Sequence, residues 1–378
     1  MTTIKPGLTF LFILSLASQS WAQGKAQKRA PIPIPRHEVT ILVDIDPASS
    51  DPTVPKIEAV AADPNGSLYT IDSAGYSDPN LRGRVLRIDP NNPVLEVVGN
   101  IPACAAVAPA PFGNCFGVAF NQDGDLFIAA SGIAPSRVLR IPAADLALGF
   151  GAITDIDSIT YASGVAGVNG LAFDKNGFLF AGGGANGIVY LIPPGGGSFT
   201  IFNDGSLIPA FCRCTDIVSL CPIAGPPPGG CNPQRTVSNG VALNRRGDLF
   251  VADTARGAIW KIDVERDANG TPSFAGISLF TQDLLLEGAD GLTVDRGNNF
   301  WVFANERNAV VRVTPGGQTH ETAHNDSNGP LEFPAGGVIV DRTLYISNFD
   351  NARRDNNPNT NGIGASIAQM FIGIDGLE

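Results

Sequence analysis

Short apolar runs recur along the whole chain in pairs, each pair joined by a tight polar turn that contains Gly. The pairs are EAVAADPNGSLYTID (58–72), FGVAFNQDGDLFIAAS (116–131), NGLAFDKNGFLFAGG (169–183), NGVALNRRGDLFVAD (239–253), DGLTVDRGNNFWVFAN (290–305) and GGVIVDRTLYISN (336–348). The central Asp/Asn-x-x-Gly is hairpin chemistry, so each pair predicts two antiparallel strands. A third strand follows each pair: RVLRI (84–88), RVLRI (137–141), GIVYLI (187–192), GAIWKI (257–262), NAVVRV (308–313) and SIAQMFIGI (366–374). Fourth strands follow in most units, for example VLEVVGNI (94–101) and SFTIFND (198–204). Four-stranded units repeated six times predict an all-β, six-bladed β-propeller; an open solenoid or a pair of sandwiches are the rival arrangements. One strand, HEVTILVDI (37–45), precedes the first unit, and the last unit lacks a clear fourth strand of its own. The N-terminal strand is therefore expected to fill that place and close the ring, which removes an open sheet edge.

Composition agrees with this picture and removes other classes. The chain has 44 Gly and 29 Pro, poor material for a helix bundle. Its hydrophobic fraction of 44% with only 16% charged residues is the opposite of a disordered chain. A net charge of −11 opposes contact with phosphate backbones, so no nucleic-acid partner is expected. No feature of the pattern specifies an oligomer.

The first residues carry an address. Lys5 is followed by the apolar run Leu8 to Ala17, too short to span a bilayer, and then by Ser20-Trp21-Ala22. This is the pattern of a cleaved secretory signal over 1–22, with an uncleaved anchor as the rival reading. A basic, Pro-containing arm (23–36) would precede the propeller (37–378). The expected location is secreted or periplasmic, with no membrane association after signal cleavage. Six cysteines in an exported chain suggest disulfides. Cys104 and Cys115 form the natural local pair, while the pairing of Cys212, Cys214, Cys221 and Cys231 stays open. A zinc site is the weaker alternative, because no His lies nearby. The last four cysteines belong to a long insertion (about 205–237) between the third and fourth units. Together with the 104–115 connection and the Asn-rich loop 349–362, it is expected on one face of the ring, shaping a substrate pocket; a neutral surface insertion is the alternative.

The residue that opens each inner strand lines one mouth of a propeller's channel. In order these are Glu58, Phe116, Asn169, Asn239, Asp290 and Gly336. Four carry side-chain oxygen. Any one Asn before Gly can be explained by local backbone bonding. Two carboxylates and two amides in register around one axis suit a hard cation, with Ca²⁺ the best match and another divalent ion possible. Without an ion, Glu58 and Asp290 would repel each other.

This ordered set resembles the SMP-30/gluconolactonase family and its relatives, the paraoxonases and diisopropylfluorophosphatase-type phosphotriesterases. The resemblance implies a six-bladed propeller with a divalent ion in the channel, held by Glu in the first blade, Asn in the third and fourth, and Asp in the fifth. Glu58, Asn169, Asn239 and Asp290 match that order. Two departures stand out. The first blade reads Glu58-Ala59-Val60 where the family usually reads Glu-Gly-Pro, and Phe116 stands where paraoxonases place a catalytic His. The chain has only three histidines, His37, His320 and His324, none of them in a channel position. The strictosidine-synthase branch shares the fold without the oxygen set.

The expected function is metal-dependent hydrolysis of a small lactone, ester or phosphotriester. Asp290 is the candidate base or nucleophile, Asp253 a second base candidate or an outer partner, and Phe116 an apolar wall of the substrate pocket. The alternatives are a non-catalytic, NHL-like ligand-binding propeller and a metal-using lyase or isomerase.

Overall fold

The hairpin turns of the first five blades are built by one device. Asp63 Oδ1 accepts the backbone N–H of Asn65 and of Ser67, both at 2.9 Å, and Gly66 turns the chain at φ +87°. Asn121 with Gly124, Asp174 with Gly177 and Asn244 with Gly247 repeat it, the glycines again at positive φ. In the fifth hairpin Asn298 takes the left-handed place (φ 58°), a role Asn tolerates better than most residues. The alternating chain on either side of such a turn has only one way to return, as an antiparallel neighbour.

The computed structural model describes residues 37–45, 56–74, 78–105, 113–185, 187–203, 234, 236–351, 355–356 and 363–377. The described residues all belong to one unit, Arg36–Glu378. Strand β1 (Val39–Asp44) comes first. Blade 1 holds β2 (Ala61–Ala62), β3 (Leu68–Asp72), β4 (Arg84–Asp89) and β5 (Asn92–Asn100). Blade 2 holds β6 (Val118–Phe120), β7 (Leu126–Ala130), β8 (Arg137–Ile141) and, after the short helix α1 (Ala143–Leu148), β9 (Thr160–Ser163). Blade 3 holds β10 (Leu171–Phe173), β11 (Leu179–Gly182), β12 (Val189–Ile192) and β13 (Thr200–Ile201). Blade 4 holds β14 (Val241–Leu243), β15 (Leu249–Asp253), β16 (Ala258–Arg266) and β17 (Pro272–Gln282). Blade 5 holds β18 (Ala289–Val294), β19 (Phe300–Ala304), β20 (Ala309–Val313) and β21 (Thr319–His324). Blade 6 holds β22 (Pro334–Val340), β23 (Thr343–Asn348) and β24 (Ser366–Phe371). Each sheet is a four-stranded antiparallel meander, and the sixth is completed by β1, which pairs with β24 from Val39↔Met370 to Asp44↔Ser366. The N-terminal strand thus closes the ring as the pattern predicted.

The inner strand of each blade touches the inner strand of the next, and β22 touches β2, so the six surround one axis. The core lies between the blades. One buried cluster fills each gap; between blades 5 and 6, for example, Trp301, Phe303 and Val310 pack on Leu344, Ile346 and Met370. Aromatic rings meet edge to face across a gap, as in Phe127 on Phe173 at 4.7 Å. Such packing fixes how far each inner strand stands from the axis, and so positions what those strands carry.

Candidate functional site

Each inner strand opens with a residue followed by a small one, and the small residue is a packing requirement. A β-carbon at Gly117 would stand 2.0 Å from the Asn169 carbonyl oxygen; at Gly170 it would stand 2.5 Å from that of Asn239, and at Gly240 2.6 Å from that of Asp290. The backbones bond at these approaches, Gly170 N donating to Asn239 O at 3.2 Å and Gly240 N to Asp290 O at 3.1 Å. The Asn-Gly and Asp-Gly pairs therefore belong to the blade-to-blade seam rather than to a turn. Their side chains are left for other work.

The same seam corrects one position. A β-carbon at Gly291 would meet the Ala335 carbonyl oxygen at 2.6 Å, and one at Gly336 would meet that of Glu58 at 3.0 Å. The sixth place on the ring is thus Ala335, one residue before the expected Gly336. Ser347 ties this seam, taking the Gly336 N–H at 3.1 Å and donating to Glu58 O at 2.7 Å.

Glu58, Asn169, Asn239 and Asp290 are brought together. The Asn169 side chain hydrogen-bonds the Glu58 carboxyl group, and the Asn239 side chain that of Asp290. Asn239 and Asp290 are buried, Glu58 and Asn169 half-buried. Burial raises the Glu58 pKa to about 7, against the Asn169 bond that lowers it. Asp290 is pushed well above the usual carboxylate range, first by burial and then by the charge of Glu58, against the bonds from Asn305 and Asn239. No cation among the described residues offsets either shift. Among the described residues no group of three or more His, Cys, Asp or Glu side chains is assembled; this set reaches four oxygen donors through its two amides. Two carboxylates and two amide carbonyls fit a hard divalent cation such as Ca²⁺ by charge and by donor type.

Two residues that the sequence reading passed over hold the set in place. Thr254 Oγ1 accepts the Asn239 amide at 3.0 Å and donates to Ala289 O at 2.7 Å. Asn305 Nδ2 donates to Asp290 Oδ2 at 2.8 Å. They are the same position in consecutive blades, because Asp253↔Ala258 and Ala304↔Ala309 are equivalent pairs and Thr254 and Asn305 come next. Aligning FVADT (250–254) with WVFAN (301–305) would have found both.

Asp253 has a different employment from the one expected. It is fully buried, and its carboxylate is taken up by Arg256 Nη1 at 2.7 Å, the Arg256 N–H at 3.1 Å and Trp260 Nε1 at 3.0 Å. A carboxylate committed to an ion pair and an indole N–H is a poor base, and it anchors the strand end instead. Phe116 opens the second inner strand, half-buried, its N–H bonded to Ala129 O at 2.9 Å. His37 sits edge-on to Trp301, 6.3 Å between centroids, and His320 and His324 lie on outer strand β21, away from the axis. Cys104 and Cys115 form a disulfide. Cys212, Cys214, Cys221 and Cys231 lie outside the described residues, as does most of the 205–237 insertion. An open groove of about 450 Å³ between blades 2 and 3, with Phe127, Tyr161 and Phe173 among its walls, adjoins the hairpin turns, at the far end of the inner strands from the oxygen set.

Residues 231–347 match the family described as SMP-30/Gluconolactonase/LRE-like region. That segment is similar to SMP-30/gluconolactonase-type regions. It contains Asn239, Thr254, Asp290 and Asn305. Solved structures extend the likeness to most of the chain at the level of fold. A gluconolactonase from Xanthomonas campestris is 15% identical, covering 89% of each chain, with a TM-score of 0.53. The calcium-binding protein regucalcin from Agrobacterium tumefaciens is 15% identical over 86% of this chain and 93% of its own, at 0.54. A luciferin-regenerating enzyme is 12% identical over 90% and 97%, at 0.55. No curated protein matches the chain by sequence. The family resemblance expected from the residues thus agrees with the match over 231–347, and the neighbours share the fold.

Proposed function

We propose that the protein is an exported, divalent-cation-dependent hydrolase of a small lactone, ester or phosphotriester, with Ca²⁺ the favoured ion. The observation that carries this reading is the convergence of Glu58, Asn169, Asn239 and Asp290 on one axis, both carboxyl groups held toward the protonated form. These four would hold the ion. A cation bound there supplies Lewis acidity toward a carbonyl or phosphoryl oxygen. Asp290 suits the part of base or nucleophile, since it is buried at the axis with one oxygen held by Asn305. Asn169 and Asn239 orient the two carboxylates. Phe116 and Ala335, the two apolar places on the ring, offer contact to the apolar part of a substrate. The disulfide between Cys104 and Cys115 supports an oxidising, extracytoplasmic setting.

The test is calorimetric titration of cation-stripped protein with Ca²⁺, beside the Glu58→Ala/Asp290→Ala double variant, followed by turnover assays on lactones, aryl esters and phosphotriesters. Saturable binding that the double variant loses is expected, together with turnover that Asp290→Asn abolishes while the thermal transition persists. No binding by the wild type overturns the reading and leaves the ligand-binding propeller. Near-normal turnover by Asp290→Asn removes that residue from the chemistry.

A further inference from the structure

We infer that Asn305 and Gln234 are positioning residues for Asp290, with Gln234 acting on the axial carboxylate through Asn305. Gln234 Nε2 donates to Asn305 Oδ1 at 2.9 Å and to Glu306 Oε1 at 2.7 Å, and Asn305 Nδ2 donates to Asp290 Oδ2 at 2.8 Å. The two ends of a carboxamide are chemically opposite, and exchanging them turns a donor into an acceptor. Glu306 and the Asn305 oxygen both demand donors, which fixes Gln234 with its nitrogen inward. Gln234 in turn fixes Asn305 with its oxygen outward, so that its nitrogen faces Asp290. Asn305 and Glu306 are 0% and 1% exposed, so water does not readily take over these bonds.

The backbone is shaped for the same arrangement. Asn305 begins a short 3₁₀ turn, and its N–H donates to Gly288 O at 3.1 Å. Gly288 has φ +76°, and a β-carbon there would stand 2.3 Å from Asn305 Oδ1. Gly288 thus leaves the room that the Asn305 carbonyl occupies while Gln234 meets it from the other side. Without Gln234, rotation of the Asn305 amide would bring oxygen against the Asp290 carboxylate, a repulsive contact. With it, one Asp290 oxygen is held and rotation of the carboxylate is stopped. Thr254 serves Asn239 in blade 4 from the equivalent position and donates across the seam to Ala289 O in blade 5.

In its consequence for ion binding and turnover the inference rests on the function proposed above, so the test has an arm that does not. Crystal structures of cation-free wild type, Gln234→Ala and Asn305→Ala would be compared at the Asp290 carboxylate. Reorientation of the Asn305 amide in Gln234→Ala and rotation of Asp290 in both variants are expected. In calorimetry, each variant should weaken Ca²⁺ binding about tenfold, as loss of a partner behind a metal ligand does. The double variant should bind no more weakly than Asn305→Ala alone, because Gln234 acts through Asn305. Asn305→Thr, which copies the blade 4 solution, should recover part of the affinity. An Asp290 carboxylate unmoved in Gln234→Ala, or losses that add in the double variant, would overturn the inference. If wild type binds no Ca²⁺, the proposed function fails and the crystallographic comparison alone decides.

Discussion

At the scale of residues, the channel mouth is governed by Glu58 and Asp290. Burial raises both, and the Glu58 charge raises Asp290 further. A carboxyl group with a raised folded-state pKa binds more protons folded than unfolded, so its contribution to stability falls as pH rises. For Glu58 the contribution is fully present below about pH 4.5 and is lost as pH rises through about 7. Thermal melts of cation-free protein from pH 4.5 to 8 should show a decline that is smaller in Glu58→Gln, the difference between the two isolating this group. Ca²⁺ should suppress the decline in wild type, since it favours the ionised pair. Equal slopes in the two proteins would mean that Glu58 ionises normally. The pair was legible in the sequence because the ring positions repeat five residues before each turn, at Glu58/Asp63, Asn169/Asp174, Asn239/Asn244 and Asp290/Asp295. Gln234 and Asn305 were not, because they lie 71 residues apart and their contact is purely tertiary.

At the scale of elements, the inner strands stand close enough that their seams admit no side chain. Gly240→Ala would place its methyl group 2.6 Å from Asp290 O and 2.7 Å from Gly291 Cα. Overpacking of this kind costs about 1–3 kcal/mol, and the shift it forces moves Asn239 and Asp290 together. Denaturant unfolding should show a loss of that size with an unchanged slope, and Ca²⁺ affinity should fall with it; unaltered stability would show that the seam yields. The hairpins and third strands were readable because alternation and Asp/Asn-x-x-Gly turns leave little choice of partner. Blade 6 was misread by one residue for a physical reason. Its hairpin turns on Asp341 and Arg342 alone, between Val340 and Thr343, and a bulge lies between Pro334 and Gly336. Counting five back from Asp341 therefore lands on Gly336 instead of Ala335. The contact of Asp253 with Arg256 was not legible, because alternation gives the face of a strand but not the Arg three residues on that meets its last carboxylate. Helix α1 was not foreseen at all.

At the scale of the molecule, the ring has no free end only because β1 lies on β24. Deleting residues 37–45 would expose the edge of β24, with Ile367, Ala368 and Met370 losing their cover. Such an edge invites pairing between molecules, so the shortened chain should melt lower than the full chain and sediment as higher oligomers. A monomer of unchanged melting temperature would show that the remaining seams suffice.

The same joint sets a schedule. Val39 to Asp44 leave the ribosome among the earliest of the described residues, and Ser366 to Phe371 among the last, yet each is the other's neighbour. The ring therefore stays open throughout synthesis, and its ordering is postponed until the whole chain is in hand. Glu58, whose carbonyl is met by Ser347 of the last blade, would then be the last of the four oxygen donors to be locked into its place on the axis.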